Sequence, residues 1–237
     1  MLLRNSYSIF PLGDAALTID FGNRIDENIN ETVLNLFRAF LQKPLFGMIE
    51  TVPAYSSLSI YYDPVKLKKR FSANETAFDH IKKEVEKFLE SFQWTQTPAS
   101  KVMKIPVCYE EEYATDLERI AEIKKIDKEE IVRLHCSQTY RVYMIGFLPG
   151  FPYLGTLDEK LSVPRKSQPQ IVAAGSVAIA GKQTGIYPLT SPGGWNVIGR
   201  TPLKLFDPYR EDPTLLNAGD VVEFYPIGKN EFLNLLA

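Results

Sequence analysis

The chain has 237 residues, of which 45% are hydrophobic and 24% charged, a composition typical of a globular protein with one large or two modest domains. A formal net charge of −2 argues against nucleic acid or an anionic membrane as the partner, because both attract clustered Lys and Arg. The sequence shows no apolar stretch long enough to span a membrane and no secretory signal, so we expect a cytoplasmic protein with free thiols at Cys108 and Cys136.

Patterns typical of strands and helices alternate in the first 97 residues. Strands are predicted over residues 6–11, 15–21, 48–52 and 57–62. Helices are predicted over residues 28–41 and from Asn74 onward, where Asn74 is the expected N-cap. The resulting β-β-α-β-β-α order predicts a small α+β domain in which helices cover one face of a sheet.

A polar segment with a central proline, residues 96–101, is the predicted linker, so we assign residues 1–97 and 98–237 to two domains. In the second domain, two short helices, the second of which begins at Asp127, follow the first strand. Strands are predicted over residues 103–109, 141–147, 171–180, 195–198, 203–206 and 221–225. Short strands at this spacing favour a small β-barrel or sandwich.

Residues 146–199 contain nine of the chain's 14 glycines, together with six prolines and five aromatic residues. Glycine weakens a strand unless the backbone bends or another group approaches closely, and prolines beside aromatic residues fix rigid loops. Two interpretations stay open from the residue types alone. The segment is either a binding site built on shaped loops or part of a turn-rich barrel that needs these residues for its geometry.

Candidate binding groups lie in and around this segment. Arg165 and Arg200 stand beside prolines, where a rigid loop suits an arginine either to carboxylate or phosphate binding or to a structural role. His135 is either a general acid or base or a structural histidine, and Trp195 is either a pocket wall or a core residue. Positions that suit a small polar ligand are Ser176, Gln183, Thr184, Tyr187, Ser191, Gly193 and Gly194.

Two common types of site are not predicted. No metal signature is present, because two histidines far apart in the sequence do not form a zinc site. The string AGKQTG at residues 180–185 resembles a phosphate-binding P-loop, but it lacks the first glycine at the required spacing and leads into a proline. A backbone nest that binds an anion at this position stays open.

Three long strings, in this order, carry a resemblance to a known family. They are GFLPGFPYLG at residues 146–155, AGSVAIAGKQTGIYP at 174–188 and SPGGWNVIGRTP at 191–202, with a Pro-Arg step at Arg165 between the first two. On these strings the chain resembles the KipI family, also called allophanate hydrolase subunit 1 or the B subunit of bacterial 5-oxoprolinase. Weaker matches, which include IPVCY at residues 105–109, extend the resemblance over nearly the whole chain.

The resemblance implies an α+β protein in which a small N-terminal α+β domain precedes a cyclophilin-like β-barrel, similar to half of the carboxyltransferase domain of urea carboxylases. It also implies the B subunit of an ATP-dependent 5-oxoprolinase, which converts 5-oxoproline to glutamate. Such a chain is expected to be active only with a companion of the KipA or allophanate hydrolase subunit 2 type and a third subunit. ATP with magnesium is then a cofactor of the complex, and none is assigned to this chain.

The resemblance also suggests roles for individual residues. His135, Arg165 and Arg200 are the expected catalytic residues. The expected substrate-binding residues are Ser176, Gln183, Thr184, Tyr187, Gly193, Gly194 and Trp195. Gln170 and Ala173 depart from the family pattern, in which arginine and proline are usual, and the substrate assignment weakens if that arginine touches the substrate.

Two alternative functions belong to the same resemblance. One is an inhibitor that docks on a sporulation-type histidine kinase, which requires an exposed apolar patch, for which Phe147, Phe151 and Tyr153 are the candidates. The other is a subunit that acts on urea-type or allophanate-type amides. Polar loop residues outnumber apolar ones in the matching strings, which favours the enzyme subunit.

Overall fold

The computed structural model describes residues 7–70, 74–92 and 102–236, and the chain divides into two compact units, Met1–Ala99 and Ser100–Ala237. The predicted linker at residues 96–101 lies outside the described residues, so the domain boundary between residues 97 and 98 stays a prediction. None of the helices in the described ranges is long and apolar enough to cross a membrane.

The N-terminal unit follows the predicted order of elements with one added short helix. Its elements are β1 (Ser8–Pro11), β2 (Ala16–Asp20), α1 (Glu27–Gln42), β3 (Met48–Pro53), β4 (Ser57–Tyr62), α2 (Pro64–Leu67) and α3 (Ala77–Ser91). The four strands pair antiparallel in the order β1-β2-β4-β3. The apolar stripes of α1 and α3, which include Leu36, Phe40 and Val85, share one core with side chains of the sheet.

The start of α3 differs from the prediction, because its N-cap is Thr76 rather than Asn74. The Thr76 side chain accepts a hydrogen bond from the backbone N–H of Asp79, and the Asp79 carboxylate accepts one from the backbone N–H of Thr76. This reciprocal capping box satisfies two donors at the helix end that a cap two residues earlier would leave unpaired.

The C-terminal unit contains a closed barrel of seven strands. Its elements are β5 (Val102–Cys108), α4 (Leu117–Lys124), α5 (Lys128–Cys136), β6 (Thr139–Ile145), β7 (Pro152–Gly155), a 3₁₀ helix (Glu159–Leu161), β8 (Gln170–Val172), β9 (Ser176–Ala180), β10 (Gln183–Ile186), β11 (Ser191–Gly193), β12 (Asn196–Arg200), β13 (Val221–Ile227) and α6 (Lys229–Leu236). The barrel order is β10-β7-β6-β13-β5-β12-β9, and β8 pairs with β11 in a separate ribbon. Together the two units confirm the predicted fold class, an α+β protein with a β-barrel.

Side chains of β9 alternate between the barrel interior and its outer wall. Val177 and Ile179 belong to the interior core. Ala178 and Ala180 belong to a second apolar cluster on the outer wall, which also contains Val172 of β8. The β8–β11 ribbon therefore packs against the outside of the barrel and shapes the surface on which most of the predicted site residues lie.

The glycine-rich segment folds into more strands than predicted. The strand predicted over residues 171–180 is two strands, β8 and β9, because the chain turns at Gly175. This residue has a φ of +83°, and a Cβ there would lie 2.4 Å from the Thr201 carbonyl oxygen. The sequence pattern did not predict strands β7, β10 and β11, because glycines and prolines interrupt them. The strand predicted over residues 203–206 is wrong, since an isolated bridge between Phe206 and Thr214 takes its place.

Candidate functional site

Close packing on the outer wall accounts for several glycines of the segment. A Cβ on Gly193 would lie 2.3 Å from the Tyr187 hydroxyl oxygen, and a Cβ on Gly185 would lie 2.9 Å from the Phe151 ring. Side chains at these two positions would collide with the rings. Gly185 and Gly193 are therefore explained by the packing of the barrel and not by a ligand.

Residues 180–185, which resemble a P-loop in sequence, form a β-hairpin. Strands β9 and β10 pair antiparallel, and Gly181 and Lys182 make the connecting turn. No helix follows this turn, so it lacks the helix N-terminus on which a P-loop holds phosphate.

Aromatic side chains form a packed cluster against the outer wall. The Phe151 ring centroid lies 4.9 Å from that of Tyr153, 5.2 Å from that of Tyr187 and 5.6 Å from that of Trp195. Trp195 is 4% exposed, so it is a core residue of this cluster rather than the wall of an open pocket. Burial raises the pKa of the Tyr187 hydroxyl, which keeps this group neutral at pH 7.

Arg165 and Phe147 lie at the exposed edge of the aromatic cluster. The Arg165 guanidinium carbon is 5.8 Å from the centroid of the Trp195 ring, and no carboxylate in the described part of the chain pairs with it. Phe147 is 62% exposed and has a φ of +67°, whereas Phe151 is 1% exposed. The predicted apolar patch is therefore wrong for Phe151, whose ring packs inward against Tyr187 and Trp195.

His135 of α5 lies inside the barrel and is completely buried, with its ring stacked on Phe224 at a centroid distance of 4.6 Å. Its Nδ1 is 2.8 Å from the Tyr109 hydroxyl oxygen, and its Nε2 is 3.0 Å from the Thr184 hydroxyl oxygen. Because the Thr184 hydroxyl donates to the Ala178 carbonyl oxygen, it accepts from Nε2–H, and the Tyr109 hydroxyl then donates to Nδ1.

The environment of His135 favours a structural role. Burial lowers the pKa of His135 to about 3, so the ring is neutral at pH 7. A general acid or base needs a ring nitrogen within hydrogen-bond reach of the substrate, and both nitrogens of His135 already bond to protein hydroxyls. Thr184, predicted to bind substrate, is 0% exposed and shares this interior network.

A small cavity of about 170 Å³ lies on the outer wall, where β8, β9 and β12 approach one another. Its polar lining includes Lys166, Gln170, Ser176 and Arg200. Ser176 and Arg200 are two of the predicted site residues, and Gln170 is the position that departs from the family pattern. Lys166 was missed by the sequence reasoning, although it directly follows Arg165 in the same proline-rich loop.

Arg200 and Ser176 are partners across the β12–β9 pairing and both line the cavity, and the Arg200 guanidinium carbon also lies 6.0 Å from the centroid of the Phe232 ring. The Arg200 Nε donates to the Ala174 carbonyl oxygen at 2.8 Å. Within the described residues, no acceptor bonds to the two terminal nitrogens of this guanidinium. Ser176 is 4% exposed, and its hydroxyl forms no hydrogen bond with any described residue. The cavity therefore holds donors and an acceptor without protein partners.

Lys166 forms a nearly buried ion pair beside the cavity. Its Nζ lies 2.8 Å from Asp116 Oδ2, with the two side chains 12% and 11% exposed. The same carboxylate oxygen accepts a hydrogen bond from the Val197 backbone N–H at 2.7 Å. Lys166 Nζ also donates to Gln170 Oε1 at 3.2 Å, so two of its three N–H groups have partners and the third is left for a ligand.

The remaining predicted residues do not line this cavity. These residues are His135, Arg165, Gln183, Thr184, Tyr187, Ser191, Gly193, Gly194 and Trp195. The Gly194 carbonyl oxygen accepts a hydrogen bond from the Lys166 backbone N–H at 2.7 Å, so the third matching string, residues 191–202, positions the lysine through the backbone. The structure thus brings together only part of the predicted set.

A larger groove of about 980 Å³ lies beside α4 and α5 and was not predicted. Its lining includes Val132 and Cys136. It also includes the glutamates Glu110, Glu111, Glu118 and Glu129. Two basic residues of the lining, Lys128 and Arg133, already pair with carboxylates. The excess negative charge disfavours a phosphate-bearing ligand here, and in the described ranges no three His, Cys, Asp or Glu residues group to hold a metal ion.

Residues 7–216 match the family described as carboxyltransferase domain, subdomain C and D. The 5-oxoprolinase B subunit of Bacillus subtilis (strain 168) is 41% identical over 228 residues, which cover 95% of each chain. The solved structure of TTHA0988 is 37% identical with a TM-score of 0.76 over 90% of this chain, which spans 40% of that longer chain. The K. lactis urea amidolyase aligns with a TM-score of 0.77 at 21% identity over 96% of this chain and 15% of that one, which shows the shared fold alone.

Proposed function

The chain belongs to the family of carboxyltransferase subdomains C and D, and from this membership we propose that it acts as the B subunit of an ATP-dependent 5-oxoprolinase. The observation that carries this proposal is the 41% identity to a 5-oxoprolinase B subunit over 95% of both chains. The proposed reaction opens the lactam ring of 5-oxoproline with water to give glutamate.

The geometry supports a chain that supplies binding groups rather than a complete catalytic centre. The cavity beside Arg200 offers charged and neutral hydrogen-bonding groups, which suit the binding of a small polar molecule. A candidate base is absent from its lining, because the described cavity residues include no histidine and the one glutamate, Glu112, pairs with Lys229. The catalytic base and the water therefore belong to companion subunits, and we expect this chain alone to be inactive.

The nucleotide also belongs to the companions in this proposal. The cavity of about 170 Å³ is well below the ~300–1,000 Å³ typical of pockets for larger ligands, so ATP does not fit it. The larger groove carries four glutamates, which would repel a triphosphate. Neither depression of this chain suits ATP with magnesium, and we assign no step of the reaction to a nucleotide bound here.

The proposed function is tested by glutamate release from 5-oxoproline in the presence of ATP. The assay compares this chain alone, a companion subunit of the KipA type together with a third 5-oxoprolinase subunit, and all three together. We expect activity in the complete mixture alone. Failure of a well-folded complete mixture on 5-oxoproline, with turnover of a urea-type or allophanate-type amide instead, would assign the chain to that second substrate class.

One observation favours a second candidate function, docking on a helical protein such as a histidine kinase. Phe147 is exposed although it is aromatic, and its positive φ is a conformation that few non-glycine residues adopt. The test is kinase autophosphorylation in the presence of this chain and of the Phe147→Ala variant. Inhibition that Phe147→Ala removes and Arg165→Ala leaves intact supports docking, and absence of inhibition by the unmodified chain contradicts it.

A further inference from the structure

The charged residues in and beside the cavity on the outer wall favour one class of ligand. Lys166 and Arg200 contribute two positive charges, and Asp116 neutralises the first of them. The lining residue Glu112 pairs with Lys229 outside the cavity, so it does not cancel the second charge. Asp116 is shared with Arg119, whose Nε lies 3.8 Å from its second carboxylate oxygen, so an excess of positive charge is left around the cavity and favours an anionic ligand.

The unused groups of the cavity also define the shape of the ligand. The two terminal nitrogens of Arg200 form a fork that matches the two oxygens of a carboxylate. Lys166 has one N–H left after its bonds to Asp116 and Gln170. The acceptor role of Gln170 Oε1 toward Lys166 leaves the amide NH₂ of the same side chain to donate, and the Ser176 hydroxyl can donate or accept.

We propose that this cavity binds a small monocarboxylate that carries an amide close to its carboxylate, with Arg200 and Lys166 on the carboxylate and Gln170 and Ser176 on the amide. The choice of a lactam acid as this ligand rests on the proposed function. The binding site itself rests on the spare donors, the Ser176 hydroxyl without a partner in the described chain and the excess of positive charge. Lys166 and Gln170 are new assignments. With them, position 170, where the family usually has arginine and this chain has glutamine, lies inside the site.

Binding to the full-length chain by titration calorimetry tests the ligand class. The probes are 5-oxoproline, 2-pyrrolidinone, which has the same lactam ring without the carboxylate, and inorganic phosphate. We expect 5-oxoproline to bind about tenfold or more tightly than either of the others, because 2-pyrrolidinone lacks the carboxylate assigned to Arg200 and Lys166, and phosphate lacks the amide assigned to Gln170 and Ser176. Equal binding of 5-oxoproline and 2-pyrrolidinone overturns the proposal.

Variants test the assigned residues. Arg200→Ala and Ser176→Ala are each expected to weaken 5-oxoproline binding, by about tenfold or more for Arg200 and by a smaller factor for Ser176. The matched control is Arg210→Ala, since Arg210 is half-exposed, pairs with Asp207 and lies outside the cavity lining. Circular dichroism and thermal unfolding of each variant show that the fold persists. A loss of binding in Arg210→Ala equal to that in Arg200→Ala overturns the assignment.

A second readout separates this proposal from the proposed function. In the assembled complex, Arg200→Ala is expected to raise the KM for 5-oxoproline about tenfold or more, with Arg210→Ala unchanged. An active complex in which Arg200→Ala changes neither the KM nor the binding by the chain overturns the cavity assignment and leaves the function standing. An inactive complex whose chain still binds 5-oxoproline through Arg200 overturns the function and leaves the binding site standing.

Discussion

The interior of the barrel around His135 and the cavity on its outer wall around Lys166 are both polar, yet they differ in unused hydrogen-bonding capacity. In the interior, each ring nitrogen of His135 meets a hydroxyl, and the Thr184 hydroxyl is itself bonded to a carbonyl oxygen. On the outer wall, Arg200, Lys166 and Ser176 keep groups without partners in the described chain. Buried polar groups that satisfy one another stabilise a fold, whereas those with spare donors point to a ligand.

The strongest test of the interior is the substitution His135→Ala. It removes a buried ring that stacks on Phe224 and takes one hydrogen bond from each of the Tyr109 and Thr184 hydroxyls, so we expect a loss of about 3–5 kcal/mol in the free energy of unfolding. Urea unfolding measures this change. Tyr209→Ala, which removes an aromatic ring that is 94% exposed, is the control and should change stability little. A stable His135→Ala variant whose assembled complex loses activity would give His135 a catalytic role after all.

The ion pair at the cavity is expected to matter for stability as well as for binding. Lys166→Met removes the nearer of the two cations of the Asp116 carboxylate and leaves Arg119 Nε at 3.8 Å, so we expect a cost of about 2 kcal/mol of unfolding free energy. Lys182→Met is the matched control, because Lys182 pairs with Glu159 at the surface and its loss should be barely measurable in urea unfolding. Equal effects of the two substitutions would show that the Lys166–Asp116 pair is solvated and not buried.

Acid should destabilise the interior network through His135. The pKa of His135 falls from an ordinary 6.5 to about 3 on folding, so below pH 6.5 the unfolded chain binds a proton that the folded chain does not. Stability should therefore decrease as the pH falls, by about 2 kcal/mol between pH 7 and pH 5. Urea unfolding at the two pH values measures the change. His135→Gln removes this contribution, and an equally steep pH dependence in that variant would contradict the assignment.

The smallest expected effect concerns a glycine of the outer wall. Gly193→Ala places a methyl group against the Tyr187 hydroxyl and should cost about 1–3 kcal/mol by forcing the ring or the ribbon to shift. Gly194→Ala is the neighbouring control, because its Cβ would meet the Lys166 carbonyl oxygen at an ordinary 3.5 Å. Thermal unfolding of both variants measures the difference in stability between them. Equal stability of the two would mean that the aromatic cluster accommodates the added methyl group. The glycines would then be needed for the loop conformation and not for close packing.

Local patterns were sufficient for much of the fold. The periodicity of apolar residues predicted the strands and main helices of the N-terminal unit, and the apolar stripes of α1 and α3 do pack into its core. The cap at Thr76 was missed by two residues, since Asn74 and Thr76 are both good caps and only the contact with Asp79 distinguishes them. Strands β7, β10 and β11 were missed because their glycines and prolines serve close contacts with other elements.

The residues of the candidate site were also predicted only in part. Arg200 and Ser176 were predicted from their place among glycines and prolines, and both line the cavity. Lys166 was not predicted, because nothing in its neighbours shows that it pairs with Asp116, 50 residues earlier in the chain. The sequence also left open whether Trp195 lines a pocket and whether His135 takes up protons, and both answers depend on which side of the barrel wall each side chain occupies.

The sequence by itself determined the order of the main elements in the N-terminal unit, the family and the segment in which the candidate site residues cluster, because periodicity, glycine and proline content and long matching strings are local properties. Only the tertiary structure decided which polar groups are satisfied and which are left over. Closure of the barrel brings His135 to Thr184 and Lys166 to Asp116 across about 50 residues of chain. A hydrogen bond requires its two atoms to lie within about 3 Å, and such a distance between remote residues is a property of the fold.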